Sequence, residues 1–158
     1  MRLSNRNGFS LVELAVVLVI AGIILAIGAP PLVRYLEKQK VRDGARQLAG
    51  EMRLARQRAV TDNCRGWIWC GYSTADRYYY WGLQKKNTAG AWLTTVWHGP
   101  FYLPGNVKQV TPTFGGTNSF YYNANGRPNA SGSVKFTSAN AAVVDTVTVN
   151  LDLAGGVW

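Results

Sequence analysis

The sequence predicts an α+β protein in which a long N-terminal helix precedes a small antiparallel β domain. Three features predict it: an uncharged apolar run, a further stretch with apolar residues at helical spacing, and short segments rich in aromatic and β-branched residues after residue 63. Apolar residues three and four positions apart indicate a helix, and short apolar runs bounded by Gly, Pro and Asn indicate strands. A chain of 158 residues suits one domain with an appendage.

The apolar run from Leu14 to Val33 is long enough to cross a membrane. Its twenty residues contain no charge, and as a helix they would cover about 30 Å, the thickness of the hydrocarbon core. The run is too long for a secretory signal, and no clear A-x-A cleavage site occurs before Pro30-Pro31. Glu13 stands at its start. A carboxylate inside a bilayer costs about 2.5–3.5 kcal/mol, so we expect Glu13 to have a partner.

Residues 8–13, with the sequence GFSLVE, resemble the prepilin processing site of type IV pilins and type II secretion pseudopilins. The resemblance implies that a prepilin peptidase removes leader residues 1–8 by cleaving after Gly8, and that Phe9 is N-methylated. Helix 9–33 would then anchor the chain in the bacterial inner membrane as a single span. In this family the acid equivalent to Glu13 pairs with the N-terminal amine of a neighbouring subunit during filament assembly.

Two prolines, Pro30 and Pro31, interrupt the helical pattern, and we expect a kink or a break there because proline deletes a helical hydrogen bond. The resemblance adds that pilins often carry a helix breaker near this point. After the prolines, the spacing of apolar residues and the many Lys and Arg of residues 34–62 predict an amphipathic basic helix. We expect it to end near Thr61 to Asn63. Its apolar stripe is predicted to pack beneath a sheet and comprises Val41, Ala45, Leu48, Met52, Ala55 and Ala59.

The polar face of this second helical segment is strongly basic. Residues 34–58 hold eight Lys and Arg against three acids, within a chain of net charge +9 that would keep +7 after leader removal. Three interpretations remain open: a solvated helix face, docking to an acidic face of the next subunit, or contact with phosphate. The candidate contact residues are Lys38, Arg42, Arg46, Arg53 and Arg56.

Residues 63–158 predict a C-terminal β domain. The expected strands are Trp67–Cys70, Tyr78–Leu83, Trp92–Trp97, Val107–Val110, Ser119–Tyr122, Val134–Thr137 and Thr146–Leu153. Because alternate residues of a strand face opposite sides, Tyr79 and Trp81 oppose Tyr78 and Tyr80. One aromatic set is expected to fill the core. The other would be exposed, as a subunit interface or as a surface on which bases stack.

Residues 45–60 and the segment FYYNANGR at 120–127 resemble the GspH/FimT branch of pilin-like proteins. This branch comprises minor pilins of the FimT/FimU kind and the H-type pseudopilin. It implies a long helix packed against a small β-sandwich-like domain, in a structural subunit of a type IV pilus or a type II secretion pseudopilus. A major pilin is a third possibility.

The alternative function is a DNA-binding minor pilin acting in DNA uptake. In FimT-type DNA receptors the DNA-contacting residues cluster near a C-terminal Gly-Arg-x-Arg-like ending, but this chain ends in AGGVW. The residues left for phosphate contact are Arg127, Lys135, the loop lysines Lys85 and Lys86, and the helix arginines. Such contacts would give weak, salt-sensitive binding without sequence preference.

The sequence leaves open whether Cys64 and Cys70 form a disulfide or are free thiols. A straight strand would hold them about 20 Å apart, so a disulfide requires a reversal near Gly66. No metal site is expected, because only His98 could join the cysteines and no ligand spacing recurs. The sequence predicts no cofactor and no enzymatic activity, since it contains no catalytic arrangement of Ser, His and Asp.

Overall fold

The computed structural model describes residues 10–71, 78–105, 107–140 and 145–158. The chain divides into two compact units, Met1–Leu36 and Glu37–Trp158. Helix α1 runs from Leu11 to Thr61 and contributes to both units. The predicted α+β class, a long N-terminal helix with antiparallel β-sheets, is confirmed.

Helix α1 continues through Pro30 and Pro31, so the predicted break does not occur. The φ angle of proline, near −65°, is compatible with a helix, and the lost hydrogen bonds are only those that two proline nitrogens would have donated. Neighbouring turns on both sides remain helical. Propagation of the helix therefore outweighs this local loss.

The C-terminal end of α1 lies where the sequence predicts it, and Asn63 terminates it. Asn63 has a positive φ of 47°, the left-handed conformation typical of the residue after a helix. Its N–H donates to the carbonyl of Val60 at 3.3 Å, and the N–H of Cys64 donates to the carbonyl of Ala59 at 3.0 Å. These two bonds form a Schellman motif, which satisfies carbonyls that the helix end leaves open.

All seven predicted strands are present in the described residues. They are β1 (Arg65–Cys70), β2 (Tyr78–Lys86), β3 (Trp92–Tyr102), β4 (Val107–Phe114), β5 (Ser119–Tyr122), β6 (Gly132–Ser138) and β7 (Thr146–Leu151). Five are longer than predicted, because pairing with a neighbouring strand extends through polar residues such as Lys85 and Lys86. The last is shorter, because the chain turns back at Asp152. Leu153, the last residue of the predicted strand, consequently lies outside β7 and is 62% exposed.

The strands form two antiparallel sheets. One has the order β3-β2-β1-β5 and the other the order β4-β6-β7. All six predicted stripe residues of α1 are buried at 3% exposure or less, in one core with the inner side chains of both sheets. The core role of the stripe is confirmed.

Strand β1 lies directly against α1, and Gly66 permits this approach. A Cβ at Gly66 would lie 2.6 Å from the carbonyl oxygen of Ala55 in the helix, which real Cβ atoms do not tolerate. Beside it, the indole N–H of Trp81 donates to a carboxylate oxygen of Glu51 at 2.8 Å. Close backbone contact and one directional bond thus orient the four-stranded sheet on the helix.

Candidate assembly surfaces

The first part of α1 presents apolar side chains to its surroundings on every side. Its large apolar residues between Leu11 and Leu36 are all exposed by half or more. The helix is long and apolar enough to cross a membrane, with a mean hydropathy of 2.8 over its most apolar 18-residue window. Such a surface needs either lipid or other apolar helices around it.

Ser10 and Glu13 form the N-terminal cap of α1. The Ser10 hydroxyl accepts a hydrogen bond from the backbone N–H of Glu13 at 3.2 Å, the first half of a capping box. The Glu13 carboxylate therefore lies in the first helical turn, where the helix dipole favours negative charge. The pattern S-x-x-E could have predicted this cap from sequence. Gly8 and Phe9 lie outside the described residues.

Arg53 and Arg56 bind the C-terminal segment of the chain. Arg56 Nε donates to the carbonyl of Gly126 at 2.9 Å, and its two terminal nitrogens donate to the carbonyls of Gly155 at 3.0 Å and Ala154 at 3.2 Å. Arg53 Nη2 donates to the carbonyl of Val157 at 2.8 Å. The structure thus gives both arginines an intramolecular role beyond the solvated or partner-binding face considered from sequence.

The outer face of the four-stranded sheet carries a continuous aromatic cluster. It consists of Trp67, Trp69, Tyr78, Tyr80, Trp97 and Tyr102, and neighbouring rings in it lie 4.9 to 6.5 Å apart. Tyr79 and Trp81 point the other way and are buried, as the strand alternation predicts. Tyr80 stacks on Trp69 at 4.9 Å, so these rings largely occupy each other's faces. That arrangement favours packing or an interface over the stacking of bases.

The two cysteines are free, buried thiols at opposite ends of the straight strand β1, Cys64 preceding it and Cys70 closing it. The disulfide alternative is not realised, because the required reversal at Gly66 is absent. Burial raises the pKa of Cys70 to about 12. Burial also raises the pKa of Cys64, with Asp62 adding to the effect and Lys85 opposing it.

These pKa shifts predict a loss of stability at alkaline pH. Above the ordinary thiol pKa of 9.0, the unfolded chain loses protons that folded Cys70 keeps up to about pH 12, so the free energy of unfolding decreases across that range. Cys70→Ala should flatten this decrease in urea titrations between pH 8 and pH 11. An identical slope in the variant would contradict the prediction.

The described residues contain no group of three or more His, Cys, Asp and Glu side chains that could hold a metal ion. His98 stacks on Trp81 with ring centroids 4.0 Å apart. Its ring therefore packs beside the core.

Residues 44–153 match the protein family described as Type II transport protein GspH, and residues 3–29 match the prokaryotic N-terminal methylation motif. The chain belongs to the GspH family. No curated protein sequence matches it. The fold of this GspH-family chain is similar to that of two solved structures.

One similar structure is the type IV minor pilin FimU of Pseudomonas aeruginosa, with a TM-score of 0.55 and 12% identity over 78% of this chain and 90% of that chain. The other is the minor pseudopilin EpsH from the type 2 secretion system of Vibrio cholerae, with a TM-score of 0.54 and 9% identity over 75% and 94%. The resemblance to the GspH/FimT branch is therefore confirmed, as is the pilin-like fold.

The GspH-family fold brings Arg42, Arg46 and Arg53 together along one cleft but does not gather the other predicted basic contact residues with them. Arg127 is exposed in a turn, where its N–H donates to Asn125 at 3.1 Å. Lys135 is exposed on β6, between the buried residues Val134 and Phe136, so it lies on the side of that sheet away from the core. Lys38 is exposed on α1.

Arg42 and Arg46 make only long ion pairs. Arg42 Nε lies 3.9 Å from a carboxylate oxygen of Asp145, and Arg46 Nη1 lies 3.7 Å from Asp43 on the same helix. Only the second pair is exposed on both sides, and such a pair contributes little, about 0–1 kcal/mol, whereas the Asp145 side chain is only 20% exposed. The Arg46 guanidinium therefore remains available to a partner, and Arg42, with a side chain 49% exposed, keeps N–H donors that Asp145 does not use.

Proposed function

We propose that this GspH-family chain is a structural subunit of a type II secretion pseudopilus or a type IV pilus, and not an enzyme. Prepilin peptidase would cleave it after Gly8, and Phe9 would be methylated. Helix 9–33 would hold it in the inner membrane as a single span until it joins other pilin or pseudopilin subunits in a filament.

The observation that carries the proposal is a capped helix whose apolar side chains are exposed all round. Leu18, Ile24 and Leu25 are each exposed by more than 60%. Lipid covers such a surface before assembly, and the equivalent helices of neighbouring subunits would cover it in a filament. Helix packing would move Glu13 into apolar surroundings. Its carboxylate would then need the N-terminal amine that cleavage creates on a neighbouring subunit.

The structure suggests a second reason for an acid at this position, namely helix capping, and substitution can separate the two. Glu13→Gln keeps a side-chain oxygen that is able to accept the Ser10 backbone N–H in a complete capping box, but it removes the charge. In this variant the N-terminal amine of the neighbouring subunit would be buried without a charged partner, which costs about 3–5 kcal/mol. We therefore expect incorporation into sheared filaments to fall roughly tenfold or more.

Ser10→Ala is the matched control. It removes the hydroxyl that accepts from Glu13 and keeps the carboxylate, so capping loses about 1 kcal/mol while the proposed amine partner remains. Incorporation of this variant should stay within about twofold of the unchanged chain. Normal incorporation of Glu13→Gln, or equal defects in both variants, would overturn the pairing mechanism.

A further inference from the structure

Strand β7 forms one edge of the three-stranded sheet, and the end of the chain covers only part of that edge. Asn150 and Trp158 exchange two backbone hydrogen bonds, at 2.8 and 3.2 Å, on the side of β7 away from β6. Because outward-facing groups recur every second residue, the N–H and C=O groups of Thr148 and Thr146 also face outward. No described backbone group bonds them there. This part of the strand edge is open.

A cleft of about 390 Å³ lies along the open edge, between β7 and helix α1. Val147, Thr148 and Val149 form one wall, and Trp158, 62% exposed, lies at its end. The opposite wall is helical. It presents two small apolar residues at its base, Ala45 and Ala49, together with the three arginines Arg42, Arg46 and Arg53.

The side chains that line this cleft are predominantly basic. Three arginine side chains line it, and no acidic side chain is among its described lining residues. Asp145, whose side chain is 20% exposed, lies 3.9 Å from Arg42 and offsets part of its charge. Asp43 lies 3.7 Å from Arg46, but both side chains are exposed, so that pair contributes little. Arg53 uses one of its five N–H donors on Val157. An anionic ligand is therefore electrostatically favoured.

We propose that the open edge of β7 binds an extended acidic segment of a partner protein by strand addition. Backbone groups of the partner would pair with Thr146 and Thr148, and its carboxylates would contact Arg42, Arg46 and Arg53. The tail of the chain already uses this geometry at Asn150, so the edge accepts a strand in that position. An open strand edge provides affinity through main-chain bonds, and flanking side chains provide specificity.

A peptide fits the cleft better than a nucleic acid does. A phosphate backbone would use the arginines but would leave the N–H and C=O groups of Thr146 and Thr148 without complementary partners. An extended peptide satisfies both kinds of group at once. The proposal is independent of the Glu13 mechanism, because the cleft lies entirely within the unit Glu37–Trp158.

The probe is a fluorescent peptide of roughly eight residues that alternates glutamate with valine. It is titrated by fluorescence anisotropy into the full chain in neutral detergent at low salt. We expect binding that weakens as salt is added, and slower hydrogen exchange at the amides of Thr146 and Thr148 when the peptide is bound.

Arg46→Glu should weaken binding of the peptide roughly fivefold or more. Its matched control is Arg58→Glu, which makes the same charge change on the same helix outside the cleft.

Further variants separate strand addition from general attraction. Thr148→Pro removes only the outward N–H of that residue, which an edge strand tolerates, and should also weaken binding. A peptide with N-methylated amides should not bind, whereas Glu13→Gln should leave binding unchanged. Equal weakening by Arg46→Glu and Arg58→Glu, undiminished binding of the methylated peptide, or binding of duplex DNA but not of the peptide would overturn the proposal.

Discussion

Replacing Trp81 by alanine is expected to lower the free energy of unfolding by about 3–5 kcal/mol. Trp81 is only 1% exposed, and its ring stacks on His98 at 4.0 Å. Truncation leaves a cavity where the indole joined the four-stranded sheet to α1. It also removes the N–H that Glu51 accepts at 2.8 Å. Urea unfolding of the full chain in detergent, followed by circular dichroism, measures the change.

Trp97→Ala is the matched control for this prediction. Trp97 is the same residue type, on the neighbouring strand, but is 53% exposed and packs edge-to-face against Trp67 and Tyr80. Its loss should cost about 0.5–1.5 kcal/mol. If the two substitutions proved equally destabilising, the assignment of Trp81 to the core and of Trp97 to the surface would be wrong.

Arg56→Ala is expected to lower the free energy of unfolding by about 2–3 kcal/mol, because hydrogen bonds to a charged group contribute about 1.5–3 kcal/mol each and Arg56 is only partly buried. Its three bonds join the helix to the turn at Gly126 and to Ala154 and Gly155. Gly155 has a positive φ of 85° and directs its carbonyl at the guanidinium, so the tail conformation is adapted to this contact.

The loss should be local as well as global. Without Arg56, the tail would separate from the outer edge of β7, and the amides of Asn150 and Trp158 should exchange faster with solvent. Arg56→Lys would restore at most one of the three bonds. Arg58→Ala, on the exposed face of the same helix, should change stability by less than about 0.5 kcal/mol. An unchanged exchange rate at these amides in Arg56→Ala would contradict the proposal that Arg56 holds the tail against the domain.

Elements of the fold that depend on local pattern could be predicted from sequence. The helical stripe from Val41 to Ala59 is a matter of spacing, and so are the alternating faces of β2 and the end of α1 near Asn63. Strand lengths were predicted less well, because the extent of β3 and β4 depends on which neighbour pairs with them. Leu153 continues an alternating pattern in sequence, yet the reversal at Asp152 places it in solvent.

Among the candidate contact residues, Glu13 is recognisable from sequence, whereas the contacts of the arginines are not. Glu13 stands out because an acid beside a long apolar run is unusual, and that signal is present in the sequence itself. The sequence contains no signal that distinguishes the roles of the helix arginines, because Arg53, Arg56 and Arg58 belong to the same basic pattern. Only folding brings the carbonyls of residues 126, 154, 155 and 157 within reach of two of them and leaves the third exposed.

The sequence by itself determined the order of elements, the membrane-length helix and the family of this chain, because these follow from local spacing, hydropathy and a short processing motif. Tertiary structure alone decided that β1 keeps Cys64 and Cys70 apart as buried thiols, and that two arginines hold the tail. It also decided that β7 keeps an open edge beside Arg46. Each of these depends on contacts between residues far apart in the chain, and neither charge pattern nor periodicity specifies such contacts.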